Sequence, residues 1–125
     1  MTKPHMRTVD AAAVTPVEFY ILLALADDDR HGYAIMQQVE AESAGAVRIG
    51  PGTLYTAIRR LLGYGYIQET ESRIDPQLDD ARRKYYGLTP SGRAAALAEA
   101  GRLRGLVRLA RTKLITRTPA GGRRS

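Results

Sequence analysis

The segment from Gly50 to Ile67, GPGTLYTAIRRLLGYGYI, constrains the fold more than any other part of this sequence. Pro51 has a fixed φ and needs no backbone hydrogen bond, which suits the first position of a helix, while Gly63 and Gly65 supply a stop signal. At about 100° per residue, this helix has two unlike sides. One side is aliphatic: Leu54, Ile58, Leu61 and Leu62. The other is small, hydroxylated and cationic: Gly52, Thr53, Thr56, Arg59 and Arg60.

A helix with these two sides is suited to the major groove of DNA. Glycine and threonine permit close approach, and arginine can reach phosphates or the O6/N7 edge of guanine. An ordinary surface helix with solvated charges explains the same pattern equally well. The helix alone therefore leaves both interpretations open.

Composition indicates one small globular domain with a polyanionic partner. The 125 residues carry 19 Lys and Arg against 13 Asp and Glu, a net charge of +6, and no cysteine. This charge favours nucleic acid through counterion release but carries no information on sequence specificity. No apolar run approaches the ~18 residues of a membrane span, and the first residues lack an apolar signal core. We therefore expect a cytoplasmic protein without membrane attachment.

Two helices are expected before the central segment. Thr15-Pro16-Val17-Glu18 is a capping-box signal, and the apolar run that follows, through Ala26, predicts a core helix. His31 opens a second helix to about Ser43, and we expect a structural role for this histidine. The inward residues of the second helix should be Tyr33, Ile35, Met36 and Val39. The acidic run 27–29 is interpreted as a solvated turn rather than a metal site.

A hairpin should follow the central helix. Residues 66–72 and 83–88 have strand character, and the segment 73–82 between them should be a long, mobile loop. Tyr85 and Tyr86 should face opposite sides of the strand. Three cations at the second strand could contact phosphates or form a solvated edge: Arg82, Arg83 and Lys84.

A long helix should occupy residues 90–114, starting at the Thr89-Pro90 signal. Six apolar residues spaced by four and three form a helix-helix seam: Ala96, Ala100, Leu103, Val107, Ala110 and Leu114. About 25 residues span roughly 37 Å, more than this small domain can cover, so part of the seam needs a partner. Gly101 and Gly105 would let another helix approach. Membrane binding by the basic flank is the weaker alternative, because Trp and Phe anchors are absent.

This order of elements resembles a winged helix-turn-helix, and four short sequence motifs resemble those of the PadR family of transcriptional regulators. The resemblance covers about residues 15 to 110. It rests on four segments in order: His31-Gly32-Tyr33 with Ile35; Pro51-Gly52-Thr53-Leu54-Tyr55; Arg60-Leu61-Leu62 with Gly65-Tyr66-Ile67; and Arg83 to Thr89 with Gly92.

The resemblance implies a role for each element. The third helix is the recognition helix, the hairpin is the wing, and the C-terminal helix is the dimerisation element of the short, single-helix subgroup. The sequence departs from the family pattern in two places: Thr56 replaces a usual proline, and Asp79-Asp80 occupies the wing loop. Some relatives use tryptophan in an aromatic ligand pocket, but this chain has no tryptophan, so a ligand cannot be carried over.

We therefore expect a mainly α (α+β) fold with four parts: a flexible arm at 1–14, a winged helix-turn-helix domain at 15–89, a dimerisation helix at 90–115 and a disordered basic tail at 116–125. The expected function is a homodimeric repressor that binds an inverted repeat in double-stranded DNA. The DNA-binding residues should be Gly52, Thr53, Tyr55, Thr56, Arg59, Arg60, Arg82, Arg83 and Lys84.

A small aromatic or hydrophobic effector could bind near Phe19, Tyr20 and Leu97, between the first and last helices. Two other classes of function fit the sequence less well. A winged-helix adaptor that does not read DNA is the alternative function. An enzyme is opposed by the lack of a nucleophile-base pair or metal cluster that can be named, and no cofactor or metal is expected.

Overall fold

The structure is a computed structural model that describes residues 13–70 and 84–115. The described residues form four helices and a three-stranded sheet: α1 Pro16–Ala24, β1 Arg30–His31, α2 Gly32–Glu42, α3 Pro51–Tyr64, β2 Ile67–Thr70, β3 Tyr85–Leu88 and α4 Pro90–Leu114. The four predicted helices and the two predicted strands are confirmed. Some expectations concern residues outside the described ones. They are those for residues 1–12, for the wing loop 73–82 with Asp79-Asp80 and Arg82, for Arg83, and for residues 116–125.

Local hydrogen bonds explain where the helices begin. The α1 capping box is present: Glu18 N donates to Thr15 Oγ1 at 3.1 Å, and Thr15 N donates to Glu18 Oε1 at 2.9 Å. Ala34 N donates to Nδ1 of His31 at 3.2 Å, which confirms the structural role expected for this histidine. At the end of α3, Gly65 has a φ of 79°, the left-handed conformation that glycine adopts without strain.

Helix α1 is the centre of the core and contacts the other three helices. Ile21, Leu22 and Ala24 are fully buried, as the apolar run predicts. The helix ends at Ala24, two residues before the predicted end, and Leu25 forms its C-terminal cap. Val14 is also buried, so the core extends one residue into the segment that we assigned to the N-terminal arm.

The prediction that Tyr33 faces inward is wrong. The buried residues of α2 are Gly32, Ile35 and Val39, which are spaced by three and four and define one side of the helix. Tyr33 lies about 100° from Gly32 around the helix axis, and it is 61% exposed. Ile35 and Val39 are buried and Met36 is half-buried, in agreement with the rest of the prediction.

Strand β3 lies at the centre of the sheet, in the order β1-β3-β2. Ile67 pairs with Leu88 in the antiparallel hairpin of β2 and β3, and Arg30 pairs with Tyr86 on the other side of β3. The sequence did not predict β1, because two residues are too few for a periodic pattern. The predicted division of the two tyrosines is found: Tyr86 is buried, and the half-buried Tyr85 contacts His31 edge-on at 5.3 Å between ring centroids.

The start of α4 is fixed to the end of α3 and the start of the hairpin. Thr89 N donates to Tyr66 O at 3.1 Å, and Thr89 Oγ1 donates to Gly65 O at 2.7 Å. Gly92 lies so close to this turn that a Cβ atom there would be 2.0 Å from Tyr66 O. Glycine at this position therefore permits the close approach of α4 to the hairpin.

Only the first half of α4 packs against its own chain. Gly92, Ala95 and Glu99 are buried, whereas the apolar residues beyond Leu103 are largely exposed. Four of them are at least half exposed: Leu106, Val107, Leu109 and Leu114. Among the helices that the structure describes, none has the length and apolar character needed to cross a membrane.

Replacing Gly92 with alanine should destabilise the protein by about 1 to 3 kcal/mol, because the new methyl group must displace backbone at Tyr66. Gly63→Ala is the matched control, since open space surrounds the position that its methyl group would take. This control should be up to about 1 kcal/mol more stable than the wild type. Urea unfolding measures both effects, and equal stability of the two variants would contradict the close approach at Gly92.

A buried carboxylate makes the α4 region sensitive to acid. Arg102 donates to Glu99 through Nε at 2.9 Å and through Nη2 at 2.5 Å. These hydrogen bonds hold the pKa of Glu99 below its ordinary value and outweigh burial, which acts in the opposite direction. Because the folded-state pKa is the lower one, the pair stabilises the fold fully above the unfolded-state pKa and loses its effect as pH falls through the folded-state pKa.

Glu99→Gln should therefore cost about 1 kcal/mol at neutral pH, and the difference from wild type should shrink as the pH falls below about 4. Urea midpoints between pH 3 and 7 test this. Glu42→Gln, which alters an exposed carboxylate on α2, is the control and should follow the wild-type profile. A constant difference between Glu99→Gln and wild type at every pH would show that the ion pair has no such role.

Candidate nucleic-acid interface

Helix α3 has one buried side and one exposed side, as its sequence predicts. Its buried residues are Leu54, Ala57, Ile58 and Leu61, and Leu62 is half-buried against the core. This side packs on α1, α2 and β2. The opposite side is exposed along the helix. We call Gly52, Thr53, Thr56 and Arg59 the outer face of α3.

Arg59 is the cation of the outer face, and it is exposed. Its Nη2 atom lies 3.5 Å from Thr56 Oγ1, a long hydrogen bond between exposed groups. Within residues 13–70 and 84–115, no carboxylate forms a salt bridge with Arg59. The guanidinium can therefore turn toward a phosphate or a base edge without breaking an ion pair.

Arg60 is in a different environment from Arg59. Its Nε atom lies 3.1 Å from Oε2 of Glu18, a carboxylate on α1 that is only 2% exposed. Arg60 was expected to hold a phosphate, but the structure places its guanidinium on this buried carboxylate. Sequence reasoning assigned Glu18 only to the capping box, because no local pattern indicates a contact between residues so distant in the chain.

Tyr55 also has an internal contact that the sequence did not indicate. Its hydroxyl lies 2.1 Å from the position that a Cβ atom would take at Gly32, so the ring covers the first turn of α2. The tyrosine remains 42% exposed. Its ring thus joins α3 to α2, and glycine at position 32 leaves the space that it occupies.

Burial raises the pKa of Tyr86, with smaller contributions from Glu69 and Tyr55. The hydroxyl of this buried tyrosine is consequently protonated and neutral at physiological pH. A neutral hydroxyl is compatible with the buried position of β3, where an unpaired negative charge would be costly. This part of the sheet therefore acts as packing beneath α3 and not as an ionised group.

An open cavity of about 370 Å³ lies between the starts of α1 and α3. Its lining combines apolar, hydroxyl and charged side chains: Thr15, Val17, Glu18, Gly52, Thr53, Thr56, Ala57 and Arg60. The residues expected to line an effector pocket do not contribute to this cavity. Phe19 and Tyr20 are half-buried against the core, and Leu97 is 68% exposed.

The wing and α4 contain the other predicted site residues. Lys84, the wing cation that the structure describes, is exposed, and its Nζ atom lies 3.5 Å from Oε2 of Glu69. Along the predicted α4 seam, Ala96, Leu103 and Ala110 are half-buried in the single chain. The remaining three seam residues are exposed: Ala100, Val107 and Leu114.

The arrangement of three helices, a hairpin and a long final helix matches solved regulators. A PadR family transcription regulator from Clostridium difficile superposes with a TM-score of 0.66 at 23% identity, covering 80% of this chain and 99% of that one. At this identity the likeness concerns the fold alone. The fold is a mainly helical winged helix-turn-helix with a long C-terminal helix.

Sequence comparison defines the family. Residues 21–98 match the model of the transcriptional regulator PadR-like family. The chain is 35% identical over 103 residues to "Transcriptional regulator Rv3488" of Mycobacterium tuberculosis, covering 82% of this chain and 87% of that protein. It is also 38% identical over 95 residues to a 37.1 kDa protein in transposon TN4556 of Streptomyces fradiae, covering 76% of this chain but only 23% of that protein.

The chain therefore belongs to the PadR-like family of transcriptional regulators. This confirms the family resemblance seen in the sequence and places the protein among DNA-binding regulators. Family membership does not define the roles of individual residues at the DNA, the form of the operator or the direction of regulation.

Proposed function

We propose that the protein is a repressor that binds an inverted repeat of double-stranded DNA as a homodimer, with the outer face of α3 in the major groove. The observation that carries this proposal is the exposed, small and hydroxylated surface of α3 with an arginine that has no ion-pair partner in the described chain.

The dimensions and chemistry of the outer face support direct contact with bases. The major groove is about 12 Å wide and admits one α-helix. Gly52 and Thr53 lie in the first turn of α3, where small side chains let the backbone approach, and Arg59 lies further along the same side. Arginine binds the O6 and N7 atoms of guanine in a bidentate manner, the commonest specific contact in protein-DNA complexes.

The exposed half of α4 supports the proposed homodimer. Val107 and Leu114, seven residues apart and therefore on one side of α4, are 55% and 75% exposed in the single chain. A monomeric protein seldom exposes a continuous apolar surface of this kind, and a second copy of the same helix would cover it. We therefore divide the chain into a DNA-binding domain at 15–89 and a dimerisation helix at 90–115.

Repression is the simplest consequence of this architecture. A small dimer that occupies two adjacent major grooves excludes other proteins from the same DNA. An apolar effector near Phe19, Tyr20 and Leu97 would act by changing the angle between α1 and α4, and with it the separation of the two α3 helices.

Arg59→Ala should weaken binding to the preferred DNA site by about 1 to 3 kcal/mol and reduce the preference for that site over other sequences. Arg104→Ala is the control, because it removes the same charge from an exposed position on α4. Fluorescence anisotropy with labelled duplexes measures both variants. An unchanged site preference in Arg59→Ala would contradict base contact by this residue. A wild-type protein with no site preference would favour an adaptor that does not read DNA.

The double substitution Val107→Glu and Leu114→Glu should yield a monomer, because it places like charges on the uncovered side of α4 without disturbing buried residues. The circular dichroism spectrum should stay close to that of the wild type. Sedimentation velocity at micromolar concentration measures the mass, with Lys113→Glu as a neighbouring control that stays dimeric. A wild-type protein that sediments as a monomer would overturn the proposed assembly.

A further inference from the structure

The Glu18 carboxylate has a separate partner for each of its oxygens. Oε1 accepts a hydrogen bond from Thr15 N at 2.9 Å, within the capping box of α1. Oε2 lies 3.1 Å from Nε of Arg60 on α3. One buried side chain therefore joins the start of the core helix to the helix that carries the outer face.

The two partners differ in their freedom to move. Glu18 is 2% exposed and is held by the first turn of α1, whereas the Arg60 side chain is 54% exposed and extends across the edge of the cavity. A buried carboxylate needs a compensating charge, and Arg60 supplies it. If Arg60 moved to a DNA phosphate, it would leave this carboxylate uncompensated in the protein interior.

Adjacent Arg59 has no such restriction. It lies about 100° from Arg60 around the helix axis and is exposed, and among residues 13–70 and 84–115 its hydrogen-bond partner is Thr56, at the long distance of 3.5 Å. Two neighbouring arginines with the same intrinsic charge thus differ in their availability to DNA. The sequence alone does not show this difference in availability between Arg59 and Arg60.

We propose that Glu18 is a positioning residue for DNA recognition, which holds Arg60 on α1 and withholds its charge from the phosphate backbone. This inference rests on the proposed DNA-binding function of α3. Arg60 then orients α3, and Arg59 is the cation of that helix that contacts DNA. Each phosphate contact strengthens binding to any sequence alike, so withholding one cation lowers the affinity for specific and random DNA alike.

Four variants test the division between the two arginines: Arg59→Gln, Arg60→Gln, Glu18→Gln and the double variant Glu18→Gln/Arg60→Gln. Glutamine retains the capping-box geometry at position 18 but removes the charge that holds Arg60. Binding to the selected site and to a random duplex is measured between 50 and 300 mM salt, roughly the range over which phosphate contacts dominate. Circular dichroism checks that each variant is folded.

The expected results separate the roles. Arg59→Gln should reduce the preference for the selected site over the random duplex, the effect of a lost base contact, whereas Arg60→Gln should leave both this preference and the slope of log affinity against log salt at the wild-type values. Glu18→Gln should increase the slope by about one unit and tighten binding to random DNA several-fold, because Arg60 is released. The double variant should return to the wild-type slope.

A purely structural role for Glu18 would change stability and leave the salt slope of Glu18→Gln unaltered, which would overturn the inference. A slope that falls by about one unit in Arg60→Gln would also overturn it, because Arg60 would then contact a phosphate in the wild type. If Glu18→Gln does not fold, this second comparison still decides the question. If Arg59→Gln alone has no effect, the proposed role of the outer face fails, while the comparison of Glu18→Gln with the double variant still tests Glu18.

Discussion

The burial of one side of α3 is the interaction on which the rest of this structure depends. Leu54, Ile58 and Leu61 are essentially inaccessible to solvent, and each contributes about 1.5 to 3 kcal/mol relative to an exposed position. Their sum is comparable with the total stability of a typical domain, about 5 to 15 kcal/mol. Burial of these side chains therefore fixes the rotation of α3 about its own axis. This rotation determines which residues of α3 remain exposed to solvent.

Polar contacts then fix the ends of the elements around α3. The capping box at Thr15 and Glu18 defines the start of α1, and Thr89 ties α4 to the carbonyl groups of Gly65 and Tyr66. These contacts are individually small, but they act where helices meet. They set the direction in which α4 leaves the domain, and in the proposed dimer they would set the distance between two copies of α3.

Local sequence chemistry was sufficient to predict the helices, because caps and apolar periodicity act over a few residues. It also predicted the two sides of α3 and the division of Tyr85 and Tyr86. It failed where the outcome depended on distant contacts. Tyr33 was assigned to the core from its helical spacing with Met36 and Val39, yet the burial of Gly32 leaves it exposed. Strand β1 was too short to leave a pattern, and the partners of Tyr55 and Arg60 lie on other elements. The family is established by comparison, whereas the roles of single residues at DNA remain proposals.

The most direct test of the central claim is the selection of bound duplexes from a random DNA pool by the full chain. If the buried side of α3 fixes its outer face for base reading, and α4 pairs two copies, the selected sequences should converge on an inverted repeat. Its half-sites should be centred about 10 base pairs, or one helical turn, apart or a multiple of that. Selected pools that retain random sequence, although the protein binds them at low salt, would contradict sequence reading by α3.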